Sequence, residues 1–448
     1  MIVKEIGQYF SEEDFIKSFG DKKGFFLLDS GDLVSENACY SFIGLRPAFK
    51  ISYSRKGTIL NGKLIREPFL KYIDNEIKLR QRERGPFPFC TGFMGYLTYD
   101  FGWELDKFKN IYKKRQLYNM PLAAFYYYDT IFVIDKKKKK LFCVSEKKPE
   151  DLKDLIRMLK KHEATKETNI KVKLKSSVSK RAYYKIIDET KRYISEGDIY
   201  QANISQRFCC DFESDPSYFY SRLRKLSPAP FGSYFVEDGF TILSNSPERF
   251  LFKNGNYIET RPIKGTRKRL KDNQQDRKIA EELKNSEKDK AEHIMIVDLE
   301  RNDLGKICKK GTVKVDKLMK IETYANVHHM VSVITGALED GVTFSDCINA
   351  TFPGGSITGA PKLRSMQIID ELEPVDRSIY CGSIGYIDNS GNFDFNIAIR
   401  TGIIHKNKLY FYVGGGIVAD SDPQLEYEET IIKARSFLTA LGIGRISD

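Results

Sequence analysis

The chain has 448 residues, of which 41% are hydrophobic and 30% charged, too apolar for disorder and long enough to bury a core without staples. Lys and Arg number 73 against 61 Asp and Glu, a net +12 that favours anionic partners without implying nucleic acid. The eight cysteines show no C-x-x-C and no zinc-spaced histidine; with no apolar leader and no run of about 18 apolar residues, the expectation is a reduced, cytoplasmic protein off the membrane.

From residue 24 to 145, short apolar runs alternate with turn residues ("GFFLLDSGD", "CYSFIGLRP", "TGFMGYLTYDF", "AAFYYYDTIFVI"). They predict aromatic-rich strands joined by tight turns. The lysine run "DKKKKKL" at 135–141 falls between "TIFVI" and "LFCV" and predicts a solvated hairpin tip. Residues 146–176 change character: an amphipathic helix (Leu152, Leu155, Ile156, Met158, Leu159) is followed by a polar stretch, the best candidate linker. It divides an N-terminal part, 1–165, from a second part, 177–448, the two expected to share one compact fold. Beyond it the pattern predicts helices at 179–195, 271–299, 343–351, 361–372 and 423–441. Strand "IYQANISQRFCC" follows the first, and strand pairs are expected at 239–252, 381–388 and 395–418. Mixed order with many hairpins predicts an α+β protein with large antiparallel sheets covered by helices.

Two carboxylate pairs stand out. Asp289 with Glu292, and Glu426 with Glu429, are each spaced i,i+3 and so share one face of a helix. They are solvated acids near helix N-termini, or, if the faces meet, an oxygen-only set suited to Mg²⁺. "TFPGGSITGAPKLRSM" lacks the G-K-[ST] of a nucleotide loop but feeds a helix N-terminus, a seat for a carboxylate. The glycines 414–416 of "YVGGGIVAD" allow close backbone approach, or a bulge. Arg400 in "NIAIRTGII" reads as a mid-strand arginine, either exposed or paired with a carboxylate. His328 and His329 start a strand, and Glu248 in "SNSPERF" follows a turn. "RPIKGTRKRL", 261–270, is a basic patch or a place where one lysine, Lys264, belongs to the chemistry.

In order along the chain, "SPERF", "PIKGTRKR", "EHIMIVDLERNDLGKIC", "VHHMVS", "FPGGSITGAPKLRSM", "YCGSIGYID", "AIRT" and "GGGIVADSDPQLEYEET" resemble the chorismate-utilising enzymes. That family includes anthranilate, aminodeoxychorismate, isochorismate and salicylate synthases. The resemblance covers most of the chain and is dense from 180 to 440. It implies two orthogonally packed sheets flanked by helices in four αββα layers, with the site in the cleft between the sheets. It also implies Mg²⁺ held by Glu292 and Glu429, with Asp289 and Glu426 on the metal's water shell. Arg400, Tyr380 and the backbone of Gly414, Gly415 and Gly416 would seat the substrate carboxylates, with Ser356, Thr358 and Thr266 nearby. Glu248 matches the general acid that protonates the departing C4 hydroxyl, and His329 the ring-side histidine.

Gln201 stands where the water-using members carry a lysine base, which implies ammonia as nucleophile. At Lys264 the anthranilate enzymes resemble "PIAGTRPRG" and the aminodeoxychorismate synthases "PIKGT". The resemblance therefore implies a lysine adduct at ring C2, then 4-amino-4-deoxychorismate for 4-aminobenzoate and folate biosynthesis. Anthranilate formation for tryptophan biosynthesis is the alternative. No amidotransferase pattern is present, so ammonia is expected from a separate glutamine amidotransferase subunit, and a lyase would act downstream without stable binding. "FFLLDSGD" resembles the segment that shapes a tryptophan pocket in anthranilate synthases, but Asp29 replaces its glutamate. Arg267, Lys268, Arg269 and Lys271 are expected to form a solvated turn.

Overall fold

A computed structural model describes residues 1–31, 39–105, 120–148, 152–160, 173–324 and 326–444. The expected linker therefore lies largely outside the described residues. Two antiparallel sheets, each of twelve strands among those residues, form the body. The first runs from Ile2–Ile6 through Tyr40–Gly44, Phe231–Glu237 and Thr401–His405 to Lys408–Ile417 and Gln201–Asp211. The second runs from Ile263–Lys268 and Val327–Ala337 through Arg249–Asn254 and Ser383–Asp388 to Ala123–Tyr128 and Lys63–Ile65. Strands from both ends of the sequence thus lie side by side in each sheet.

Strand composition explains the layering. In Ala123–Tyr128, Ala123, Phe125 and Tyr127 face the cluster under helices Phe69–Leu79 and Phe344–Thr351, while Ala124, Tyr126 and Tyr128 face the other sheet. In Thr130–Asp135, Ile131 and Val133 point between the sheets, and Phe132 and Ile134 point to helix Glu12–Phe19. A strand apolar on both faces must be covered on both. The result is four layers, helices on each outer side of a sheet pair, as expected. Aromatic rings fill the middle: Tyr126 lies 4.8 Å from Phe235, and Phe42 5.4 Å from Tyr386. Each such burial contributes roughly 1.5–3 kcal/mol, so this interior is the main source of stability. Among the described residues no helix is long and apolar enough to cross a membrane.

Several expectations are corrected. The helix expected over 271–299 is two, Asn273–Asn285 and Glu287–Gly305. Ser286 separates them, and its hydroxyl accepts the Asp289 amide at 3.3 Å, the cap preference of serine overriding a continuous periodicity. Helices Glu12–Phe19, Phe69–Leu79 and Pro216–Leu226, of 8, 11 and 11 residues, were not expected. The lysine hairpin forms as expected, but Lys136 turns inward to Glu12 at 3.0 Å.

The correction that matters most concerns two strand pairs. Phe240–Ser246 belongs to the first sheet and Arg249–Asn254 to the second; likewise Phe393–Asn396 lies in the second and Thr401–His405 in the first. The chain therefore crosses between sheets at 247–248 and at 397–400, and the crossings run side by side. The Ile397 amide donates to the Glu248 carbonyl at 3.0 Å, and the Ser246 hydroxyl donates to the Ile397 carbonyl at 2.6 Å. Arg400, expected within a strand, sits in the second crossing with φ +50°.

Candidate active site

The site begins with a bulge. Ile263 pairs with Val331 and Thr266 with His329, so one extra residue is inserted around Lys264 and Gly265. Gly265 has φ +79°, and a Cβ there would stand 2.9 Å from Leu283 and 3.1 Å from Asp289, so only glycine fits. The bulge sends Lys264 from the second sheet toward the first, where its amine lies 3.3 Å from the place a Cβ on Gly416 would occupy. Among the described residues no hydrogen bond or ion pair holds that amine. Burial lowers its pKa and Lys433 adds to the effect, while Glu292, Glu248 and Glu429 pull the other way.

Glu248, in the first crossing, is buried, and its Oε1 accepts the Ser356 hydroxyl at 2.6 Å and the Ile263 amide at 3.4 Å. Burial pushes its carboxyl up to about 7, outweighing Ser356, Lys264 and Lys433, which act downward. Such a group keeps its proton close to neutrality, where a general acid works. His329 is also buried; its Nδ1 is 2.8 Å from the Thr266 hydroxyl, and its Nε2 has no partner among the described residues. Burial, with Arg400 and His328 beside it, lowers its pKa to about 3, so the ring is neutral. Burial also lowers the pKa of Arg400, whose guanidinium has no carboxylate among the described residues. An unpaired arginine beside a neutral histidine is a seat for an anion.

Across the cleft, Gly416, Gly415 and Gly414 pair with Asn203, Ile204 and Ser205. A Cβ on Gly415 would stand 3.3 Å from Glu426 Oε2 and 3.6 Å from Glu429 Oε1, so the glycines let helix Pro423–Ala440 lower its carboxylates to the strand. Both amide atoms of Gln201 are buried without a partner among the described residues, beside Gly416. Tyr380 is buried and stacked on Tyr412 at 5.3 Å. The Thr358 hydroxyl donates to the Gly354 carbonyl at 2.9 Å within its own loop, and that of Ser356 is engaged with Glu248. These two shape the loop and the acid.

The two carboxylate pairs do approach one another. Burial raises the carboxyls of Glu292 and Glu426; Glu426 adds to the shift of Glu292, and Glu429 to that of Glu426. Glu429 is instead lowered, chiefly by Lys433, which lies 2.7 Å away. Carboxylates that raise one another are relieved by a cation, and an oxygen-only set fits a hard one such as Mg²⁺. Among the described residues, however, no group of three or more His, Cys, Asp or Glu is gathered to hold a metal. Asp289 is taken by Arg267 at 2.7 Å. Arg269 bonds Asp276 at 3.0 Å, and Arg267 and Lys268 lie in strand Ile263–Lys268, so the expected solvated turn is a paired strand end.

The N-terminal segment lies elsewhere. Asp29 borders a cavity of about 340 Å³ between the sheets, lined also by Tyr40, Arg84, Phe231, Arg249 and Tyr386. Burial would raise its carboxyl, but Arg224 and Lys136 hold it down at about 2, and it accepts from Arg224 Nε at 2.7 Å. Its charge is therefore already spent inside the protein.

Sequence reading missed Lys433 and the pair Arg377–Glu373. Lys433 stands four residues after Glu429, an ordinary helix pair on paper, yet its amine also donates to the Gly414 carbonyl at 2.9 Å.

Residues 24–439 match the model of the chorismate binding enzymes. The chain belongs to that family. The chain is 41% identical over 357 residues to aminodeoxychorismate synthase component 1 of Salmonella typhimurium, covering 79% of this chain and 77% of that one. It is 38% identical over 376 residues to an anthranilate synthase component I-like protein of Synechocystis, covering 82% and 76%. Anthranilate synthase component I of Streptococcus pneumoniae superposes with a TM-score of 0.81 at 30% identity, over 90% of this chain and 93% of that one.

Proposed function

We propose that this family member aminates chorismate with ammonia, supplied by a glutamine amidotransferase partner or free in solution, to form 4-amino-4-deoxychorismate. The observation that carries this reading is the Lys264 amine, bulged into the cleft and lowered in pKa by burial. In its neutral form the amine attacks ring C2 while the C4–O bond breaks, and Glu248 gives its proton to the departing hydroxyl, which leaves as water. Ammonia then forms a bond at C4 as the C2–N bond breaks; the lysine leaves as an amine, and the surplus ammonium proton returns to Glu248. Arg400, Tyr380 and the backbone of Gly414–Gly416 seat the carboxylates, neutral His329 lines the ring, and Gln201 offers its unpaired amide to the nucleophile. Mg²⁺ bound by Glu292 and Glu429, with Glu426 on its water shell, would supply positive charge to the ring carboxylate. Incubation with chorismate, ammonium and Mg²⁺, then with the lyase, should give 4-aminobenzoate, and a chelator should abolish it; no 4-aminobenzoate would sink the reading.

The second reading is anthranilate synthesis. The superposition on the Streptococcus enzyme and several similar relatives of that name support it, and taken by themselves the comparisons lean this way. Lys264 is the residue that leans against it. Anthranilate formed without added lyase would decide for it.

A further inference from the structure

Strand Gln201–Asp211 turns one face to the helices and the other to the cleft. Ala202 and Ile204 pack in a cluster with Tyr183 and Ile187 of helix Lys180–Ser195, so Gln201 and Asn203, alternating with them, point the other way. Their backbone is pinned. The Asn203 amide donates to the Thr358 carbonyl at 2.8 Å, the Ser365 hydroxyl to the Gln201 carbonyl at 3.0 Å, and Arg377 to the Asn203 carbonyl. With its backbone groups turned to those partners, Asn203 faces Gly416 as a pair without a shared backbone hydrogen bond, the arrangement in which opposing side chains lie closest. Gly416 has no side chain to fill that space. Gln201 Nε2 reaches into the place its Cβ would take, and Lys264 Nζ lies 3.3 Å from the same place. Gln201 and Asn203 are 1% and 8% exposed, so their amides are cut off from bulk water. Among the described residues neither carboxamide nor the Lys264 amine makes a hydrogen bond or ion pair.

We propose that Gln201 and Asn203 hold the Lys264 amine by its N–H groups, so that its lone pair points at the ring. This rests on Lys264 being the nucleophile. A neutral primary amine has two N–H groups and one lone pair, and two carboxamide oxygens match the two N–H groups. A half-turn of either amide brings its oxygen round without moving the chain. In the reaction the lone pair forms the C2–N bond as the C4–O bond breaks, and Glu248 gives its proton to the leaving oxygen, which departs as water. The nitrogen keeps both hydrogens and becomes positive. Hydrogen bonds from a charged donor are stronger than from a neutral one, so the carboxamides stabilise the transition state more than the bound substrate. Being uncharged, they do so without holding a third proton on the amine beforehand, as a carboxylate there would.

The test is an acid-quenched single turnover with chorismate and no ammonium, reading by intact mass the adduct of chorismate less water on Lys264. Gln201→Met and Asn203→Val should each slow adduct formation about tenfold, with chorismate affinity unchanged and the KM for ammonium not raised. Asn203→Thr has the shape of valine with an oxygen restored, and it should recover most of the rate. Valine and threonine both suit a strand, and the two positions keep the test open if one variant folds poorly. Adduct formation at the wild-type rate in both Gln201→Met and Asn203→Val overturns the inference alone, as does a loss that falls on chorismate affinity. A raised KM for ammonium with adduct formation unchanged overturns it in favour of amides that seat ammonia. No adduct on Lys264 of the wild type overturns the reading of Lys264 and this inference with it.

Discussion

Lys264 and Gly416 meet across the cleft, the amine of one sheet 3.3 Å from where a side chain on the other would begin. The absent side chain at 416 leaves room for the amine, which is the proposed nucleophile. Lys264→Ala should therefore lower formation of 4-amino-4-deoxychorismate by orders of magnitude while leaving thermal stability within a few degrees. Rates measured by coupling to the lyase check this; an unchanged rate removes the covalent role.

As the proposed general acid, Glu248 has to carry a proton, and its carboxyl lies at about 7. As pH rises through that value the acid is lost, so kcat/KM should fall on the alkaline side. Glu248→Gln should cost on the order of 10²–10⁴ in kcat, the usual share of a general acid, and flatten that limb. A pH–rate series on both proteins reads it directly.

How much of this was legible in the sequence follows from the range of each interaction. Glu292, Glu426 and Glu429 were visible because i,i+3 spacing is local, and that their helices meet was only conditional. Lys264 was visible through its motif, but the bulge that aims it depends on His329, some sixty residues away, and on the gap that Gly265 leaves for Asp289. Arg400 was misplaced because apolar neighbours look the same in a strand and in a crossing between buried sheets. Asn203 could not have been singled out, since nothing near it in sequence tells that Gly416 lies opposite it.

Arg400 stands beside neutral His329 without a carboxylate of its own among the described residues. If it seats a substrate carboxylate, Arg400→Met removes a charged pair worth about 1.5–3 kcal/mol. KM for chorismate should then rise roughly 10- to 100-fold, with a smaller change in kcat. Steady-state kinetics separates the two.

Arg377 is buried at 2% exposure; it forms a pair with Glu373 at 2.7 Å and donates to the Ile357 carbonyl at 3.0 Å. Glu373 in turn accepts the Ser205 amide and hydroxyl, at 2.7 and 2.9 Å. Removing the arginine strands a buried carboxylate. Arg377→Met should destabilise the fold by about 3–5 kcal/mol, read by denaturant unfolding. A loss under about 1 kcal/mol would mean that the pair is dispensable.

The product made by the wild-type protein from chorismate and ammonium, with Mg²⁺ and no other enzyme, tests the central claim most directly. Chromatography should show 4-amino-4-deoxychorismate, converted to 4-aminobenzoate only when the lyase is added. Anthranilate as the sole product would contradict the role given to Lys264.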